Sequence, residues 1–135
     1  MKNWSVFGLV LTSVAAAQMA SAAEFDGSKP ILCSTNLAVE CESDYECHNS
    51  PPEVHAIPSF IRVDVKKKKL TGPRWGKDEV TAIERVEHDG SRLMLQGIDG
   101  GRGWTLAIGE ETGQMAITIS ELDAAFILFG ACMIP

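Results

Sequence analysis

The chain has 135 residues, 18 acidic against 12 basic, and a net charge of −6 at pH 7. That length fits one domain with a modest core of its own. The acidic balance excludes nucleic acid as the main partner, because a phosphate backbone is held by clustered lysine and arginine.

The start of the chain reads as an export signal. Lys2 precedes an uncharged run from Trp4 to Ala17, and Ala20-Ser21-Ala22 is a small-x-small cleavage site. The run is short for a membrane span, which needs ~20 apolar residues. The expectation is a signal peptide over residues 1–22, cleaved after Ala22, and a mature chain that is not transmembrane. Removing it takes away Lys2 alone among the charged residues, so the net charge of −6 becomes −7. The chain is then expected in the periplasm or outside the cell. All four cysteines, Cys33, Cys41, Cys47 and Cys132, lie in the mature part. An even count in an exported chain predicts two disulfides. Four cysteines allow three pairings. Position along the chain favours Cys41–Cys47 as a local clamp and Cys33–Cys132 as a tie between the ends.

Residues 23–30 read as a flexible tail, and residues 31–135 as a single disulfide-tied β domain. Residues 31–41 form the first predicted strand, and residues 42–46 an acidic tip. Residues 50–58 carry three prolines, which deny ladder hydrogen bonds, so they read as a loop. Residues 59–65 alternate, with Ile61, Val63 and Val65 on one face. Residues 66–78, which include four consecutive lysines, read as a turn and an irregular connection. Residues 79–88 are a strand ending at the Asp89-Gly90 turn signal. Residues 92–97 are the next strand. Trp104, Leu106 and Ile108 share one face, as do Met115, Ile117 and Ile119, with a tight turn over residues 109–113 between them. Residues 124–132 are apolar at every position, which predicts a strand covered on both sides; a helix over residues 121–131 is the rival. The fold class is therefore all-β: a small antiparallel barrel or sandwich of about seven to eight strands.

The stretch from Gly100 to Ile108, GGRGWTLAI, invites a phosphate-loop reading. It fails the motif tests. No lysine-serine or lysine-threonine pair follows the glycines, the third glycine of a dinucleotide fingerprint is missing, and no helix follows. It reads instead as a hairpin turn in which Gly97, Gly101 and Gly103 permit positive φ or a bulge. Trp104 reads as core. Arg102 at the turn, Trp75 with Arg74 in PRWGK, and Tyr45 at the acidic tip are the possible contacts for a ligand or partner.

No metal or other cofactor is expected. Glu40, Glu42, Asp44 and Glu46 recur at period two but match no calcium-loop pattern. His48 and His55 lie near Cys47 without zinc-site spacing, and an exported thiol tends to oxidise. His88 has no evident partner in the sequence. The run from Lys66 to Lys69 reads as a solubilising hairpin edge. No GxSxG elbow or cysteine–histidine pair in catalytic context is present, so no catalytic residue is nominated.

Cys33-x7-Cys41-x5-Cys47, RLMLQG, GRGWTLAI, ETG and a terminal FGAC occur together. In this combination the chain resembles a group of small exported bacterial envelope proteins with no established activity, so the resemblance brings no catalytic residues. A looser likeness, of architecture alone, is to the periplasmic lysozyme inhibitors, whose serine-glycine-aromatic signature is missing here. The expected function is a binding module at the cell envelope, for a protein, glycan or small ligand. An inhibitor of an envelope-directed hydrolase such as lysozyme is the alternative, and an enzyme the third.

Overall fold

The computed structural model describes residues 24–135 except Ala56, Trp75 and Gly76; of Arg74 it describes the backbone alone. The predicted signal peptide and its cleavage site lie outside the described residues. So does Trp75.

The described residues form one antiparallel sheet of ten strands, curled into a half-barrel. In chain order the strands are β1 (Ile31–Glu42), β2 (His48–Ser50), β3 (Phe60–Asp64), β4 (Lys69–Arg74), β5 (Lys77–Ala82), β6 (Arg85–Asp89), β7 (Arg92–Asp99), β8 (Arg102–Gly109), β9 (Gln114–Ser120) and β10 (Ala124–Met133). A short 3-10 turn, Pro52–His55, follows β2. Neighbours across the sheet run β5-β4-β3-β1-β10-β9-β8-β7-β6, with β2 beside the upper half of β1.

Ten strands exceed the expected seven to eight for three local reasons. The connection over residues 66–78 contains β4 despite Gly72 and Pro73. Beyond Thr71, β4 is laddered to β5 alone, so Pro73 lies where no second ladder is required. The strand expected over residues 79–88 is divided at Ile83-Glu84, its first part pairing with β4 and its second with β7. β2 was not foreseen. A bulge between Thr35 and Leu37 bends β1, so that its lower half meets β3 and its upper half meets β2.

The two edge strands are consecutive in the chain. Ile83 N–H donates to Lys68 O (2.9 Å), and Glu84 N–H donates to Gln96 O (2.9 Å). Thr81 Oγ1 on β5 donates to Asp99 Oδ2 at the end of β7 (3.1 Å).

Period-two alternation puts one apolar set inside. Ile31, Val63, Leu93, Leu95, Leu106, Ile108 and Leu128 are fully buried, and Trp104 and Ile117 join them in one core cluster. β10 is a strand, which removes the helix alternative. Its outer face is not fully covered by the described residues, contrary to expectation: Phe129 and Met133 stay exposed, beside Leu37 of β1.

The two ends of the sheet differ. At the end where Leu32 meets Met133, Cys33 is bonded to its register partner Cys132. Residues 23–30 were expected to be loose, yet Phe25 is buried there, and its N–H donates to Glu110 O (3.0 Å). The turn bearing Lys66–Lys69 is at this end too, since Asp64 pairs with Lys69 and Val63 with Ile31. The opposite end, where Glu42 meets Ala124, carries the Cys41–Cys47 clamp and most of the acidic residues considered below.

Candidate functional site

The mouth at the acidic end is built from strand termini. β7 and β8 are joined by Gly100-Gly101, both at positive φ (+56° and +82°), which is the two-residue turn whose twist matches flanking strands. The hairpin reading of this stretch holds. Gly97 and Gly103 have no positive φ, and Gly97 serves another purpose. It is the cross-strand partner of Trp104, and a Cβ at Gly97 would stand 2.5 Å from Trp104 Cζ2 and 2.6 Å from Ala82 O. The missing side chain is the space in which the indole lies.

Trp104 is 8% exposed and belongs to the core, as its register predicted. It also lines a cavity of ≈100 Å³ with apolar walls that include Ile61, Leu70, Ile117, Ile119 and Leu128. Its buried Nε1–H has no acceptor among the described residues. A buried indole N–H without an acceptor is uncommon, since leaving a polar group unsatisfied costs about 1–3 kcal/mol. Glu79, Thr81, Asp99 and Arg102 are the polar side of this cavity.

Arg102 also lines a second, wider cleft of ≈400 Å³ outside the first. Arg102 Nε lies 2.5 Å from Glu121 Oε1, so its charge is neutralised where the two spaces meet. Glu42, Asp44 and Asp123 line the outer cleft, with Tyr45 and Phe126 as aromatic walls. Tyr45 is 74% exposed on the clamped tip, where its N–H donates to Glu42 O (3.3 Å). The clamp reaches β10 through Ser43 N–H, which donates to Asp123 O (2.9 Å).

Of the residues singled out in the sequence, Arg102 and Tyr45 come together at this mouth. Arg74 is the last residue of β4 and pairs with Lys77. The sequence reading missed Glu121, Asp123 and Phe126. Their signal was weak, because nothing local distinguishes a carboxylate at a strand end from any other surface acid.

Glu40 faces inward, with its Oε2 3.3 Å from both His48 Nε2 and His55 Nε2. His55 also meets Ser50 Oγ through Nε2 and packs on Phe126, with ring centroids 5.2 Å apart. Serine, histidine and glutamate therefore meet, but not as a hydrolytic triad. A triad uses opposite ring nitrogens for its serine and its carboxylate, whereas here one nitrogen faces both. Cys47 is bonded to Cys41 and is no thiolate ligand. Among the described residues no group of three or more histidine, cysteine or acidic side chains has metal-binding geometry. Below the mouth, Ser59 Oγ donates to Glu53 Oε1, and this hydrogen bond holds the Glu53 carboxyl below the ordinary glutamate value.

Comparison with known proteins finds no matching family model, no similar curated protein and no similar solved structure. The two disulfides fit an oxidising compartment. No helix among the described residues is long and apolar enough to cross a membrane.

Proposed function

We propose that this chain is an exported binding module of the cell envelope, periplasmic or secreted, that takes a small ligand into the mouth between the clamp and the β7–β8 turn. The observation that carries this reading is the apolar cavity of ≈100 Å³ beside Trp104. Recognition sites are concave and mostly apolar, with a few placed polar groups. Residues 77–89 then act as one bent stave closing the curled sheet into a barrel, a reading supported by the ladder bonds on either side of Ile83-Glu84.

The test uses protein isolated from the envelope fraction under native conditions. Native mass spectrometry is expected to show a non-covalent adduct that Ile119→Phe, a cavity-filling variant, lacks while remaining folded. An unliganded mass for both proteins overturns the reading. Intact mass of the same material tests export. Loss of residues 1–22 is expected, and retention of them overturns it.

The clamped tip favours a second reading, the hydrolase inhibitor. Tyr45 stands exposed on a disulfide-closed loop between Asp44 and Glu46, a rigid element suited to a basic active-site cleft. Lysozyme turnover of peptidoglycan is its assay. Inhibition that Tyr45→Ala relieves supports this reading, and no inhibition by the unaltered protein removes it.

A further inference from the structure

We infer that the ligand of this mouth is an organic cation, an ammonium group on an apolar body. This rests on the small-ligand reading above. Three observations define the molecule.

The head is set by charge. Arg102 is the one basic side chain among the described residues lining the two spaces, and Glu121 neutralises it. Glu42, Asp44 and Asp123 remain around the outer cleft. An anion entering there meets net repulsion, and a cation meets attraction. The lysine run is at the far end of the sheet, so it does not offset this field within a Debye length of ~8 Å at physiological salt.

The kind of cation is set by the walls. Tyr45 and Phe126 flank the acidic groups. Aromatic faces attract cations through their quadrupoles and suit alkylated ammonium groups, which are apolar at their surface yet charged. A bare metal ion has no comparable fit, because no clustered set of oxygen or nitrogen ligands is present among the described residues.

The body is set by the inner space. Its aliphatic walls accept a short alkyl or aryl group.

The experiment is a titration of the protein, expressed from its full-length sequence and 15N-labelled, followed at the indole N–H cross-peak that Trp104→Phe deletes. The probes are hexanoylcholine, hexanesulfonate and tetramethylammonium, below any micelle concentration. Hexanoylcholine carries both head and body, the sulfonate reverses the charge, and tetramethylammonium lacks the body. Saturable shifts with hexanoylcholine at least ten times tighter than with either other probe are expected. The double variant Glu42→Gln/Asp123→Asn is expected to weaken hexanoylcholine about fivefold or more, as loss of exposed charge pairs implies. Equal affinity for hexanesulfonate overturns the cationic class and leaves the binding reading standing. Equal affinity for tetramethylammonium overturns the role of the inner space. No saturable shift with any probe, joined to an adduct-free native mass, overturns this inference and the binding reading together.

Discussion

Gly97 and Trp104 are register partners across β7 and β8, and the indole lies where a side chain at Gly97 would be. This pairing seats a large aromatic at the cavity wall without displacing the strands. It also makes the glycine as necessary as the tryptophan.

Gly97→Ala is therefore expected to destabilise the protein by about 1–3 kcal/mol, the usual cost of overpacking. Trp104→Ala is expected to cost about 3–5 kcal/mol, as truncation of a buried aromatic does. In a Trp104→Leu background the cost of Gly97→Ala should fall without vanishing, because Ala82 O still stands 2.6 Å from the new Cβ. Urea unfolding of the double-mutant cycle measures this. Additive costs would show that the indole and the glycine are not coupled.

The β7–β8 turn separates conformation from charge. Gly101→Val should destabilise, because φ is +82° and a β-branched residue is strained there. Gly103→Val should cost much less, since its φ is not positive and its nearest neighbour is Ser120 Oγ at 3.3 Å. Arg102→Ala should cost more than loss of an exposed ion pair does, because it leaves the buried Glu121 Oε1 without its counter-charge. Unfolding midpoints of the three variants check this order, and a Gly103 variant worse than the Gly101 variant contradicts it.

The disulfides are unequal. Cys33 and Cys132 are 99 positions apart and Cys41 and Cys47 only 6. In the chain-entropy model the long closure is worth ~4.7 kcal/mol and the short one about half of that. Cys33→Ala/Cys132→Ala should therefore lose more stability than Cys41→Ala/Cys47→Ala. The second variant should weaken whatever binds at the mouth, because the clamp holds Tyr45. Denaturant unfolding of both variants reads the stability order, and its reversal would contradict the closure argument.

Glu53 carries a pH dependence with a definite sign. The Ser59 hydroxyl stabilises its ionised form, so its folded pKa lies below the ordinary value of 4.5. A depressed carboxyl pKa contributes stability that is present above the ordinary value and lost as pH falls through the folded one. Ser59→Ala should raise the Glu53 midpoint towards 4.5. Carboxyl-resolved NMR titration of both proteins measures it, and an unchanged midpoint would show that the hydroxyl does not hold the carboxylate.

Much of this fold was legible along the chain. Trp104, Leu106 and Ile108 recur at period two because a pleated strand sends alternate side chains to one face, and that face is the core. A hairpin turn in this stretch was legible because few residues tolerate positive φ, but that Gly100 and Gly101 are its two central residues is set by the pairing of Asp99 with Arg102. Position along the chain favoured the observed cysteine pairing without choosing among the three; the meeting of β1 and β10, which brings Cys33 beside Cys132, decided it. β4 was not legible, because glycine and proline break a strand unless one of its sides needs no ladder, and only the neighbours decide that. The uncovered outer face of β10 was not legible either, because apolar residues at both parities look alike whether or not something covers them. Nor was the mouth. Glu42, Arg102, Glu121 and Phe126 come from four strand termini and the connections beside them, and each is an ordinary residue in its own stretch. A local pattern records which way a side chain faces; which charges and rings share one opening is set by register and curl, and those exist only once the strands have paired.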